Sequence, residues 1–147
     1  MNRAIWLLWI TAALMLAMGG AVHASDDDHY KNVTKYEVPT APEKYLAMKN
    51  PNTSESDLKK GKRYYKAKCS ECHGDEGEGD PEDSGVVAFK NAKWMKTRSD
   101  GQLFYIAMFG AGKDAEMEGY GPESDAGMSE ERIWQIIAYI RTLVDKD

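Results

Sequence analysis

Apolar residues run almost unbroken from Ile5 to Met18 and are never again so continuous. Asn2 and Arg3 precede this block, and Gly19-Gly20-Ala21-Val22-His23-Ala24 closes it with small residues. A short positive start, an apolar run shorter than a bilayer requires and a small-residue end predict a secretory signal over 1–24, cut after Ala24. No cysteine stands at the cut, so a lipid anchor is not expected. From Ser25 to Thr53 the pattern is polar, opening on Asp26-Asp27-Asp28 and carrying Pro39, Pro42 and Pro51. The one helical hint in it is Pro42-Glu43-Lys44-Tyr45-Leu46. Residues 25–53 are therefore predicted to be a tail or linker lying across the surface of a domain that occupies 54–147.

Helical spacing begins at Ser54. The first predicted helix runs from Ser54 or Ser56 to Cys72, with Glu55 and Asp57 in its first turn and Lys59, Lys60, Lys62, Arg63, Lys66 and Lys68 after them. Acid early and base late suits the helix dipole. A second is predicted over Ser99 to Phe109, stopped by Gly110-Ala111-Gly112. A third runs from the cap Ser129 to about Val144, with Ile133, Ile136, Ile137, Ile140 and Val144 at helical spacing. No alternating strand pattern and no repeat occurs, so the fold is predicted to be all-α with long loops. Three helices in about 95 residues make little core on their own. Such a domain needs a staple: disulfides, a metal or a large cofactor.

Composition narrows the partners. The chain has 147 residues and a formal charge of −5. Loss of the signal removes Arg3 and no acid, leaving 18 basic against 24 acidic side chains and a charge of −6. An acidic chain is a poor candidate for nucleic acid or anionic membranes. A soluble monomer in the periplasm, with no stable membrane insertion after cleavage, is the expectation.

The candidate chemistry sits in Cys69-Ser70-Glu71-Cys72-His73, which holds both cysteines of the chain. On a helix, positions i, i+3 and i+4 share a face, so two thiols and an imidazole project together. That pattern suits covalent haem attachment, the thiols forming thioethers and the imidazole ligating iron. Rival readings fit less well. A redox dithiol belongs beside a βαβ pattern, which is absent, and leaves His73 without a role. A structural zinc site needs four ligands, and outside the signal the other histidine is His29, in the tail. A disulfide between residues three apart closes too small a ring to constrain the unfolded chain much.

These residues resemble class I monohaem cytochromes c, over about Ser54 to Leu143. Gly61 and Tyr65 before the Cys-x-x-Cys-His motif look like the family's opening helix, Gly74 to Gly79 its glycine loop, and Trp134 with Tyr139 to Leu143 its closing helix. The resemblance implies that first and last helices cross closely, bringing Gly61 and Tyr65 to Tyr139. It implies one haem c per chain on Cys69 and Cys72, with His73 as one axial ligand. It places a methionine ligand in the loop before the last helix, where Met117 and Met128 both lie. Met128 has another explanation, a staple from the position before the Ser129 cap to Ile133. Met117, between Glu116 and Glu118, has none, so Met117 is the expected ligand and Met128 the alternative. Met48 lies in the tail, Met108 inside a helix, and Met95 beside Trp94.

Two departures from the family pattern matter. The usual Pro after the methionine is Glu118. The Gly-Pro-x-Leu element that orients the histidine is missing, so a carbonyl between Pro81 and Val87 is expected to accept the His73 Nδ1 proton. Trp94 is expected either to donate its indole N–H to a haem propionate, as in relatives, or to pack. The implied function is one-electron transfer between a redox protein donor and acceptor, without bond chemistry. The narrower alternative is a dedicated acceptor for a periplasmic quinoprotein-type dehydrogenase, or a small subunit of a redox complex. A different class, a five-coordinate haem binding a gas or reacting with peroxide, requires that no methionine reach the iron. The acidic run Asp75 to Asp83 reads as a solvated loop or as a docking face for a basic partner.

Overall fold

The computed structural model describes residues 38–80, 82 and 85–144. The predicted signal, His29 and the start of the predicted tail lie outside them. Among the described residues six helices follow in order: α1 Glu43–Leu46, α2 Glu55–Lys68, α3 Ser70–His73, α4 Ala92–Lys96, α5 Asp100–Phe109 and α6 Glu130–Ile140. Among the described residues there is no strand. None of these helices is long and apolar enough to cross a membrane.

Caps set the helix starts. Ser54 and Asp57 form a reciprocal capping box on α2, and Ser99 and Ser129 accept from the amides of Gln102 and Arg132 on α5 and α6. The predicted long first helix is broken at Cys69, whose φ of −121° interrupts the axis between α2 and α3. The turn that matters survives, because His73 N donates to Cys69 O at 2.9 Å. α6 ends at Ile140, not near Val144. Thr142 N and Leu143 N bond three residues back, to Tyr139 O and Ile140 O, so the last turn tightens. The Arg141 side chain leaves the helix axis there. Its Nε donates to Asp100 Oδ1 at 2.9 Å and its Nη1 to Met95 O at 2.9 Å. α4 has only five residues, too few for a period to show.

α2 and α6 make the main helix crossing, and α5 packs on α6. Gly61 stands at that crossing, against the carbonyl of Gln135 and Cβ of Tyr139. Tyr65 meets Tyr139 with ring centroids 5.3 Å apart. Phe104 stacks on Trp134 at 4.1 Å. Ile133, Ile137, Met95, Phe104 and Tyr65 are each at most 1% exposed. Full burial of such a side chain contributes about 1.5–3 kcal/mol. Met128 and Ile133, the expected staple, are both in this core. Residues 38–50 lie on α5, with Ala41 buried and Tyr45 against Phe104 and Tyr105.

A polar knot ties α2 to α6. The Asp57 carboxylate accepts from Ser54 N, from Ser54 Oγ at 2.6 Å and from Gln135 Nε2 at 2.9 Å. These bonds lower its pKa from 3.8 to about 2, the Ser54 side chain contributing most. A depressed folded-state pKa stabilises the fold fully above 3.8, and this stabilisation is lost as pH falls toward 2. Asp57→Asn is expected to flatten the acid side of a Tm-against-pH profile over that window. An acid limb as steep as that of the wild type would show that another carboxylate controls it.

Candidate functional site

α3 and the α2–α3 junction carry Cys69, Cys72 and His73 to one side of a cavity between the helices. Cys69 is half-buried and Cys72 exposed, and both are free thiols. Burial, then the neighbouring Cys72, pushes the Cys69 thiol up to about 12. It is therefore held as a neutral thiol. Burial also lowers the His73 pKa, against the opposing bond to Val87, which favours the neutral imidazole a metal requires. His73 Nδ1 lies 2.9 Å from Val87 O. That carbonyl is within the stretch in which an acceptor was expected. It leaves Nε2 as the nitrogen available to a metal. Phe89 stacks on the imidazole at 4.5 Å and 26°, fixing its plane from the side. Tyr65 Oη donates to Gly74 O at 2.7 Å and so anchors the chain directly after the motif.

Met117 lines the same cavity. Of the methionines among the described residues it alone does so. Met128 and Met95 are buried in the core, and Met48 and Met108 pack against it. The loop of Met117 is strung along the end of α5. Ala111 N donates to Met117 O at 2.9 Å, Tyr120 N to Ala107 O at 2.9 Å and Gly121 N to Met108 O at 3.1 Å. Tyr120 Oη reaches across to Lys68 O at 3.1 Å, linking this loop to the end of α2. The methionine side and the cysteine side are thus held to each other by Tyr120, which is itself part of the cavity wall.

The remaining walls are mostly aliphatic, from Val86, Val87, Leu103, Ile106, Ile133, Ile136, Ile137 and Ile140. At one edge stands Trp94, with the Arg98 guanidinium 5.0 Å from its ring centroid. Arg98 Nε is buried and has no hydrogen-bond partner. A buried donor without an acceptor is costly, about 1–3 kcal/mol, and rare in a finished fold. Two thiols, an imidazole, a thioether and apolar walls fit a flat apolar macrocycle, and the unfilled Arg98 donor behind Trp94 suits an acidic substituent on it. Among the described residues no three His, Cys, Asp or Glu side chains gather as a bare metal site would need.

A family model described as cytochrome c matches residues 58–144. The chain belongs to the cytochrome c family. The structure is similar to that of cytochrome cL from the marine methylotrophic bacterium Methylophaga aminisulfidivorans MPT, at 24% identity and a TM-score of 0.52, covering 75% of this chain and 69% of that one. Cytochrome cL from Hyphomicrobium denitrificans is similar at 23% identity and a TM-score of 0.49, covering 75% and 70%. No curated protein matches. At such identities the structural likeness concerns the fold, which is the all-α cytochrome c fold. As a cytochrome c, the protein holds haem c covalently and transfers electrons, the work of carriers more than of enzymes.

Sequence reasoning missed three parts of this cytochrome's site. Arg98 stands beyond the end of α4, beside the Trp94 ring, and no helical spacing marks it. Phe89 carried no local signal. Val38, which also lines the cavity, lies in the segment expected to be a tail.

Proposed function

We propose that this cytochrome is a periplasmic one-electron carrier with a single haem c on Cys69 and Cys72, ligated by His73 and Met117. When bound, the haem supplies reversible one-electron chemistry at its iron. The chain's own residues do the rest. Val87 O holds the His73 tautomer through the Nδ1 proton. Phe89 sets the ring plane, and the α5 anchors hold the Met117 loop. Trp94 and Arg98 would hold a haem carboxylate at their edge, which supplies Arg98 Nε with its missing acceptor. The aliphatic walls exclude water from the cavity and so tune the potential.

The observation that carries this reading is the presence of Met117 in the cavity that holds His73, with Met128 in the core. A sixth ligand occupies the position a gas or peroxide would need, so a carrier is favoured over a five-coordinate haem. The test is the absorption spectrum of the haem-loaded protein, oxidised and dithionite-reduced, in the wild type and in Met117→Ala. The wild type is expected to be low-spin, with the weak near-red methionine–iron band and no carbon monoxide binding. Met117→Ala is expected to lose the band and bind carbon monoxide when reduced. Survival of the band would move the ligand to another methionine, and a high-spin wild type would sink the carrier reading.

A further inference from the structure

Residues 38–50 are bound to the first turn of α5 as a ligand is bound to a site. Gln102, 7% exposed, uses both ends of its amide on them. Its Oε1 accepts from Ala41 N at 2.9 Å and its Nε2 donates to Pro39 O at 2.9 Å. Before it stands Gly101, where a Cβ would lie 1.7 Å from Tyr45 O. Glycine is a poor helix former, and here it admits the backbone of the crossing segment. The far end is fixed by Asn50, whose Nδ2 donates to Trp134 O at 2.9 Å and whose N donates to Asp100 Oδ2 at 3.3 Å. Ala41, 3% exposed, fills the space beside Gln102. Held in this way, the segment delivers Val38 to the wall of the cavity that contains Cys69, His73 and Met117.

We propose that Gln102 is a positioning residue for electron transfer: it seats the 38–50 strap so that Val38 closes the haem cavity and sets the reduction potential. The inference rests on the reading of that cavity as the haem site. Two neutral hydrogen bonds to one buried amide hold the strap end, and no ion pair is needed to do so. Val38 contributes an apolar surface where the cavity would otherwise meet water. Water stabilises the more highly charged oxidised site, so a cavity without its strap has a lower potential.

The test uses the haem-loaded full chain and compares the wild type with Gln102→Leu, Gln102→Glu and Val38→Ser. Gln102→Leu keeps the volume and removes both bonds. Trypsin cleavage after Lys44 and Lys49 is expected to accelerate about tenfold or more, since each lost bond is worth about 1 kcal/mol of closure. The midpoint potential is expected to shift downward while the low-spin spectrum is retained. Gln102→Glu, which keeps the acceptor for Ala41 N, is expected to fall between the wild type and Gln102→Leu on both readouts. Val38→Ser leaves the strap pinned and is expected to lower the potential without faster cleavage, which keeps the proposal testable even if Gln102→Leu does not fold. Unchanged potentials in Gln102→Leu and Val38→Ser, with haem loaded, overturn the strap proposal alone. A wild-type protein that never takes up covalent haem overturns the reading of the cavity itself.

Discussion

Gly61→Val abolishes the native helix crossing. A Cβ at position 61 would lie 1.9 Å from Gln135 O and 2.6 Å from Gln135 C. The obstacle is backbone, so no rotamer change relieves it. α6 cannot retreat easily, because Ile133, Trp134, Ile136 and Ile137 are all buried on it and Trp134 is stacked on Phe104. Overpacking that side chains can absorb typically costs about 1–3 kcal/mol. Here a buried helix must move, so the cost exceeds about 3 kcal/mol against a total stability of about 5–15 kcal/mol. Gly61→Ala is expected to fail for the same reason, since its gain in helix propensity of about 1 kcal/mol does not offset the clash. Circular-dichroism melts of the haem-loaded variants measure this. A Tm within about 4 °C of the wild type would mean that the crossing is slack and Gly61 is not needed.

Cys69→Ala with Cys72→Ala is expected to remove covalent haem and to destabilise the domain. Aliphatic side chains of the core form much of the cavity wall. An unfilled cavity forfeits the dispersion contacts and apolar burial that a group seated there would give this wall, which is a sizeable loss against a total stability of about 5–15 kcal/mol. The double variant is expected to give no haem signal on a denaturing gel and a broad, low-amplitude unfolding transition. Either single variant is expected to keep one thioether and a weaker signal. Haem retained through denaturation in the double variant would refute attachment at these two positions. His73→Ala tests the neighbouring role separately, with attachment kept and the low-spin spectrum lost.

Much of this was legible in the chain because it is encoded over short distances. The three long helices announced themselves by caps at Ser54, Ser99 and Ser129, each within three residues of the amide it receives, and α6 by its apolar period as well. The Cys-x-x-Cys-His motif is five residues long, and its geometry is set within one turn, which survives even where the helix axis breaks at Cys69. The staple of Met128 with Ile133 is likewise local, and it left Met117 as the methionine without a structural duty. The helix α4 and the end of α6 were not legible. One is too short to show a period, and the other is terminated by the bonds of Arg141 to Asp100 and Met95, more than forty residues away.

By itself, then, the sequence determined the helix class, the attachment motif and the need for a large cofactor, since caps, periodicity and vicinal thiols act between near neighbours. Tertiary structure alone decided which carbonyl receives His73. It also decided that Arg98 is left with a free donor and that Val38 belongs to the wall. Each of these depends on chain segments tens of residues apart meeting at one surface. No local pattern carries that information, because it arises only when α2, α5 and α6 have packed and the loops between them have been drawn over the gap they leave.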